Sequence, residues 1–174
     1  MSFSAQIRAF CNKTNTSIDD AVKLATVLAV QQLVMRSPVA DPDSWAANAG
    51  AAAARESAFA GGKSARAAKK AHPNKAGKRH IGGRFRANWQ VGLHQQPDDT
   101  ITDATDAGGG KTISRLTVVA AAARAGGVIY ISNSLPYADA LERGHSKQAP
   151  AGIVRLTVLA LPVALESALR ARRQ

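Results

Sequence analysis

The sequence predicts a mixed helical and β-stranded chain, with long helices near its two ends and two short strands between them. Three patterns carry this reading. Capped apolar periodicity of helical spacing runs from Ser17 to Arg36, apolar and polar residues alternate from Arg84 to His94, and a second helical stripe runs from Ala151 to Arg172. With 174 residues, 45% hydrophobic and 20% charged, the chain has the size and apolar content of about one packed domain.

Thr16-Ser17 before Asp19 and Asp20 is a helix start, because the hydroxyl caps open amides and the carboxylates suit the positive end of the helix dipole. Ile18, Val22, Ala25, Ala29 and Leu33 recur at helical spacing, and Val27, Leu28, Val30 and Val34 widen the apolar surface, so the second half is expected to be buried or to face another subunit. Pro38 disfavours helical geometry at Ser37 and ends the helix, after which Asp41-Pro42-Asp43 is turn chemistry. A shorter helix is expected from Ser4 to Cys11.

From Ala46 to His80 the composition shifts to Ala, Gly, Lys and Arg, with Phe59 the one large apolar residue. Arg55, Lys63, Arg66, Lys69, Lys70, Lys75, Lys78 and Arg79 stand against Glu56 alone, which gives the stretch a charge of +7. Ala51 to Phe59 has helical propensity, but Gly61-Gly62, Pro73 and Gly77 interrupt the rest, so a long, basic, flexible Ala/Gly/Lys-rich loop with one helical segment is expected.

From Arg84 onward, Phe85, Ala87, Trp89, Val91 and Leu93 alternate with Arg84, Arg86, Asn88, Gln90 and His94, the pattern of a half-buried strand. Gln96 to Gly110 is a polar connection. Ile113, Leu116, Val119, Ala120 and Ala123 predict a short helix ended by Gly126-Gly127, and Val128 to Ser132 a second strand. Pro136 to Arg143 predicts one or two helical turns with Pro136 in the first and Gly144 as the stop. In the last helix Val154, Val158, Leu161, Leu165 and Leu169 share a stripe, with Pro162 expected to kink or split it.

Lys and Arg number 23 against 12 Asp and Glu, a formal charge of +11, which makes polyanions the first partner class to consider. The single Cys11 excludes an intramolecular disulfide, and His72, His80, His94 and His145 lack metal-ligand spacing, so a reducing, cytoplasmic setting and no metal or cofactor are expected. Met1 to Thr14 has neither an apolar signal core nor a cleavage site, and no apolar run spans a bilayer, so a soluble protein is expected. Gly110-Lys111-Thr112 and Gly62-Lys63-Ser64 look like ends of phosphate-binding loops, but Thr105 and Ser57 stand where the first glycine belongs, and flexible loop is the reading preferred. Cys11 has no neighbouring base, and Asp41 with Asp43 fits turn formation, so no enzyme is expected. The basic loop fits salt-sensitive phosphate contact or a merely solvated segment, and the lack of interleaved aromatics argues against single-strand recognition.

Two segments, Ser37-Pro38-Val39-Ala40-Asp41-Pro42-Asp43-Ser44-Trp45 and Ile81-Gly82-Gly83-Arg84-Phe85-Arg86-Ala87-Asn88-Trp89-Gln90-Val91, resemble the neck and tail-completion proteins of long-tailed, siphovirus-type bacteriophages. Ile129-Tyr130-Ile131-Ser132-Asn133-Ser134-Leu135-Pro136-Tyr137-Ala138 and Leu141-Glu142-Arg143-Gly144-His145-Ser146-Lys147-Gln148-Ala149-Pro150-Ala151-Gly152 are similar to that family's signature segment. The resemblance covers Ser17 to the end except Ala46 to His80. It implies a small α+β subunit, a small antiparallel sheet packed by the N-terminal and C-terminal helices, forming a ring, with six copies the family-based expectation.

On that resemblance the partners are further copies of the chain, the tail tube, a head-closure or connector protein, and DNA in the channel. The location is the head-tail junction of the virion, reached from the host cytoplasm, with no membrane. The family has no catalytic, cofactor or metal residues to carry over, and the motif positions, among them Pro38, Trp45, Gly82, Asn133, Tyr137, Gly144, Gln148 and Pro150, are read as structural. Glu142 and Lys147 are weighed as a pair across subunits and as solvated surface. Family members cross from the Trp45 to the Gly82 position by a much shorter loop, so 46–80 is an insertion that either reaches a neighbouring ring or meets DNA phosphates. A tail terminator ring and a free, nonspecific nucleic-acid-binding protein are the alternatives.

Overall fold

The structure is a computed structural model that describes residues 4–5, 7–9, 17–42, 46–75 and 82–171. In chain order these form α1 (Ile18–Arg36), a 3-10 turn (Ala46–Asn48), α2 (Ala49–Ala60), α3 (Ala65–Ala71), α4 (Arg84–Ala87), β1 (Gln90–Leu93), α5 (Gly110–Ala120), β2 (Ile129–Ser132), α6 (Ala138–Glu142) and α7 (Val154–Ala171). Residues 4–5 and 7–9 are helical, as expected there, while Cys11 lies outside the described residues.

Two compact units result, one of Met1–Pro38 with Gly83–Gln174 and the other of Val39–Gly82. Within the second unit the helical segment expected over Ala51 to Phe59 lies inside α2, and α3 stands where the rest of the basic stretch was expected to be loop. Alanine-rich segments are strong helix formers, and Ser64, whose Oγ accepts the Ala67 amide, starts α3 where a loop was expected.

The larger unit is α+β. β1 and β2 form a two-stranded antiparallel sheet with Val91 opposite Ile131 and Gly92 opposite Tyr130. α1 packs on α5 and α7, and α5 packs on β1. Val30, Leu33 and Val34 of α1 meet Phe85, Trp89, Val91, Leu116, Leu135 and Ile153 in one core. Burial of such side chains, the aromatic pair above all, is the main stabilising term. The second half of α1 is buried as the widened apolar surface predicts, and Ser17 caps its start by accepting the Asp20 amide.

Elsewhere the backbone differs from the sequence reading. The alternation at 84–94 predicts the burial of Phe85, Ala87, Trp89 and Val91, but Asn88 on its polar side is buried as well, Leu93 is only partly buried, and the first half is a helical turn rather than a strand. The cause is Gly83, at φ +96°, where a Cβ would sit 2.3 Å from the Ala107 nitrogen. This left-handed residue turns the chain, and the Gly83 carbonyl accepts the Ala87 amide.

α5 begins at Gly110, so Gly110-Lys111-Thr112 is a helix start and not a flexible loop, and it ends at Ala120, before the glycines expected to stop it. Pro136 precedes α6 instead of occupying its first turn. α7 is one helix through Pro162. Its stripe is also rearranged: Leu165 and Leu169 are buried, but Val158 is 62% exposed, and Leu159 and Val163 lie with it at 71% and 68%.

Candidate functional site

In the smaller unit the basic residues divide into a buried brace and an exposed set. Arg55 is buried, and its guanidinium donates to the His72 carbonyl and to Asn74 Oδ1, both at 2.8 Å. This corrects its grouping with the outward-facing cations, because α2 packs on α3 and turns Arg55 inward. Asn48, fully buried, donates to the Pro42 carbonyl and accepts the Lys75 amide, tying the entry of the helix pair to its exit. Lys63, Arg66, Lys69, Lys70 and Lys75 are exposed. Lys78, Arg79 and Trp45 lie outside the described residues.

In the larger unit the motif residues from distant parts of the sequence form one frame. Asn133 donates to the Phe85 carbonyl at 2.8 Å. Asn88 donates to the Arg84 carbonyl and accepts the Ile101 amide, which anchors the polar connection after β1. Phe85 stacks edge-on against Trp89, with centroids 5.8 Å apart, and lies 5.9 Å from the Tyr137 ring.

Glu142 has the most informative place. Its carboxylate accepts the amides of Ile153, Val154 and Arg155 at 2.7, 2.8 and 3.0 Å and caps α7 from the end of α6. Burial pushes this carboxyl up, but the three amides and the nearby Arg155 charge outweigh it and hold it below its ordinary 4.5. Gly152, at φ +83°, leaves room for the cap, since a Cβ there would lie 2.6 Å from the Glu142 carbonyl oxygen. Gly144 passes close to Pro150 in the same segment. The Glu142 carboxylate is thus committed to α7, while Lys147 and Gln148 are exposed.

Several residues of this frame escaped the sequence reading. Asp106 accepts the Thr112 amide, the Thr112 hydroxyl and the Gly109 amide at 2.8–2.9 Å, and although burial raises its carboxyl, these bonds and Lys111 bring it below 3.8. An anion therefore already fills the α5 start, where the motif resemblance would place a phosphate. An acidic residue shortly before an apolar helical run was the signal that could have found it. Arg86 donates to the carbonyls of Met35, Ser37 and Ala107, and Arg115 to those of Ala87 and Trp89. Burial lowers the Arg115 pKa, and no local pattern marks either residue.

A cleft of about 200 Å³ opens over Phe85, Trp89, Ile131, Asn133 and Ile153. Its carboxylates are Glu142, occupied as a cap, and Asp139, in an exposed pair with Arg143 at 2.9 Å. Burial pushes the Tyr137 hydroxyl up, partly offset by Arg84. Among the described residues no group of three His, Cys, Asp or Glu side chains could hold a metal ion, and no helix is long and apolar enough to cross a membrane. No protein-family model, curated protein or solved structure matches the chain.

Proposed function

We propose that the chain is a structural subunit of the neck of a long-tailed phage, a tail-completion or head-to-tail joining protein that works by assembling into a ring between tail tube and head connector. The observation that carries this reading is the use made of the motif residues that resemble that family. Phe85, Asn88, Trp89, Asn133, Glu142 and Gly144 are spent on holding one frame together, as expected of a protein whose motifs serve shape and assembly.

The exposed Val158, Leu159 and Val163 on α7 add support, because large apolar side chains left open on one helix suit packing against a second copy. A ring needs one face to meet a different face of the next subunit.

The test is immunogold labelling and protein mass spectrometry of nuclease-treated, purified particles. Label confined to the head-tail junction at a low, fixed copy number is the expected result. Absence from mature particles overturns the reading.

A further inference from the structure

We propose that the smaller unit binds the phosphate backbone of duplex DNA through the outer face of α3, without reading base sequence. This stands apart from the neck reading, because it concerns a surface of the isolated chain.

α3 packs on α2 and buries Ala68 completely. At about 100° per residue, Arg66 and Lys70 lie about 160° around the helix from Ala68, with Lys69 beside them. The packing that buries Ala68 thus turns these cations outward. Lys63 in the preceding turn and Lys75 after the helix extend the exposed set. Glu56 is the one acidic residue in 46–75. The Arg55 and Asn48 bonds brace the pair, so the cations stand on folded backbone and lose less freedom on binding than they would on a tail.

The surroundings of these cations decide the partner class. Ala65, Ala67 and Ala71 are exposed between them, and alanine methyls offer none of the large aromatic or aliphatic anchors on which protein interfaces depend. On α3 itself what remains is charge density, the exposed Phe59 of this unit belonging to α2, and duplex DNA carries about one negative charge per 1.7 Å of axis. α3 carries no aromatic residue to stack on unpaired bases, which favours a duplex over a single strand.

The experiment is fluorescence anisotropy of the full chain with a labelled, random-sequence duplex between 50 and 200 mM salt. With five cations engaged, the slope of log K against log salt approaches about −4.5, a weakening of roughly 500-fold across that range. Replacing three of them in Arg66→Gln/Lys69→Gln/Lys70→Gln reduces the slope by about 2.7. A control, Lys23→Gln/Arg143→Gln/Arg170→Gln, removes equal charge from the larger unit and leaves the slope near the parent value. Circular dichroism matching the parent shows that both variants fold.

No duplex binding at 50 mM salt overturns the proposal. Equal losses in the two variants assign binding to overall charge and also overturn it, as does tighter binding to a single strand of the same length. Polyglutamate competing as well per charge as duplex DNA would indicate an acidic polypeptide instead. Particle labelling is indifferent to all of these outcomes, so either idea can fail without the other.

Discussion

Trp89 donates its indole N–H to Ser37 Oγ at 2.8 Å, and the Ser37 hydroxyl in turn donates to the Leu33 carbonyl at 2.6 Å. Both residues are buried, so this relay joins the end of α1 to the start of β1 in the absence of competing water. Ser37→Ala leaves the indole N–H without its acceptor and is expected to cost about 1–3 kcal/mol. Trp89→Ala removes the ring as well and costs about 3–5 kcal/mol. Adding Ser37→Ala to Trp89→Phe, where the donor is already gone, costs less than Ser37→Ala alone. Urea denaturation checks the set, and strictly additive losses would contradict the relay.

The caps make stability depend on acid in a defined direction. Glu142 and Asp106 both have folded pKa values below their ordinary ones, since the amide donors outweigh the opposing effect of burial. Their contribution is therefore complete above the ordinary carboxyl range and is lost as pH falls through the folded values. Glu142→Gln is expected to cost about 0.5–2 kcal/mol at pH 7 and to flatten the decline between pH 5 and pH 3. A variant as acid-sensitive as the parent would sink this account of Glu142.

Gly83 and Gly126 share a positive φ but differ in surroundings. A Cβ at Gly83 meets Ala107 backbone at 2.3 Å, whereas nothing lies within 4 Å of one at Gly126. Gly126→Ala should cost only the conformational penalty of about 1–2 kcal/mol. Gly83→Ala should cost distinctly more, because the 106–107 backbone must move, and thermal melts of the pair measure the difference.

If α7 supplies the subunit contact, Val158→Glu and Val163→Glu should convert rings to monomers without lowering the melting temperature. Both positions are exposed in the single chain, so their replacement leaves its core intact. Sedimentation velocity and negative-stain imaging read the outcome. Rings that persist in both variants would move the contact to another face.

Local chemistry was sufficient where neighbours in sequence decide the structure. Ser17 as the start of α1 and Ser37 as its stop follow from a hydroxyl cap and a following proline, and β2 follows from a β-branched run between turns. The apolar alternation around Trp89 foretold the burial of Phe85, Ala87, Trp89 and Val91, whose side chains avoid water, but not that of Asn88, which is buried because the Arg84 carbonyl and the Ile101 amide satisfy it.

It did not foretell the backbone there, because the left-handed Gly83 is held by close approach to Ala107, far along the chain. The same limit hid the buried Arg55, whose acceptors His72 and Asn74 become adjacent only when α2 and α3 pack. Glu142 was recognisable as a motif residue, but its task was not: the amides it caps begin eleven positions later. The sequence by itself determined the bounds of α1, the place of β2 and where the charge lies along the chain. The tertiary structure decided which polar groups are used up inside and which remain on the surface, since a hydrogen bond depends on distance in space rather than along the chain.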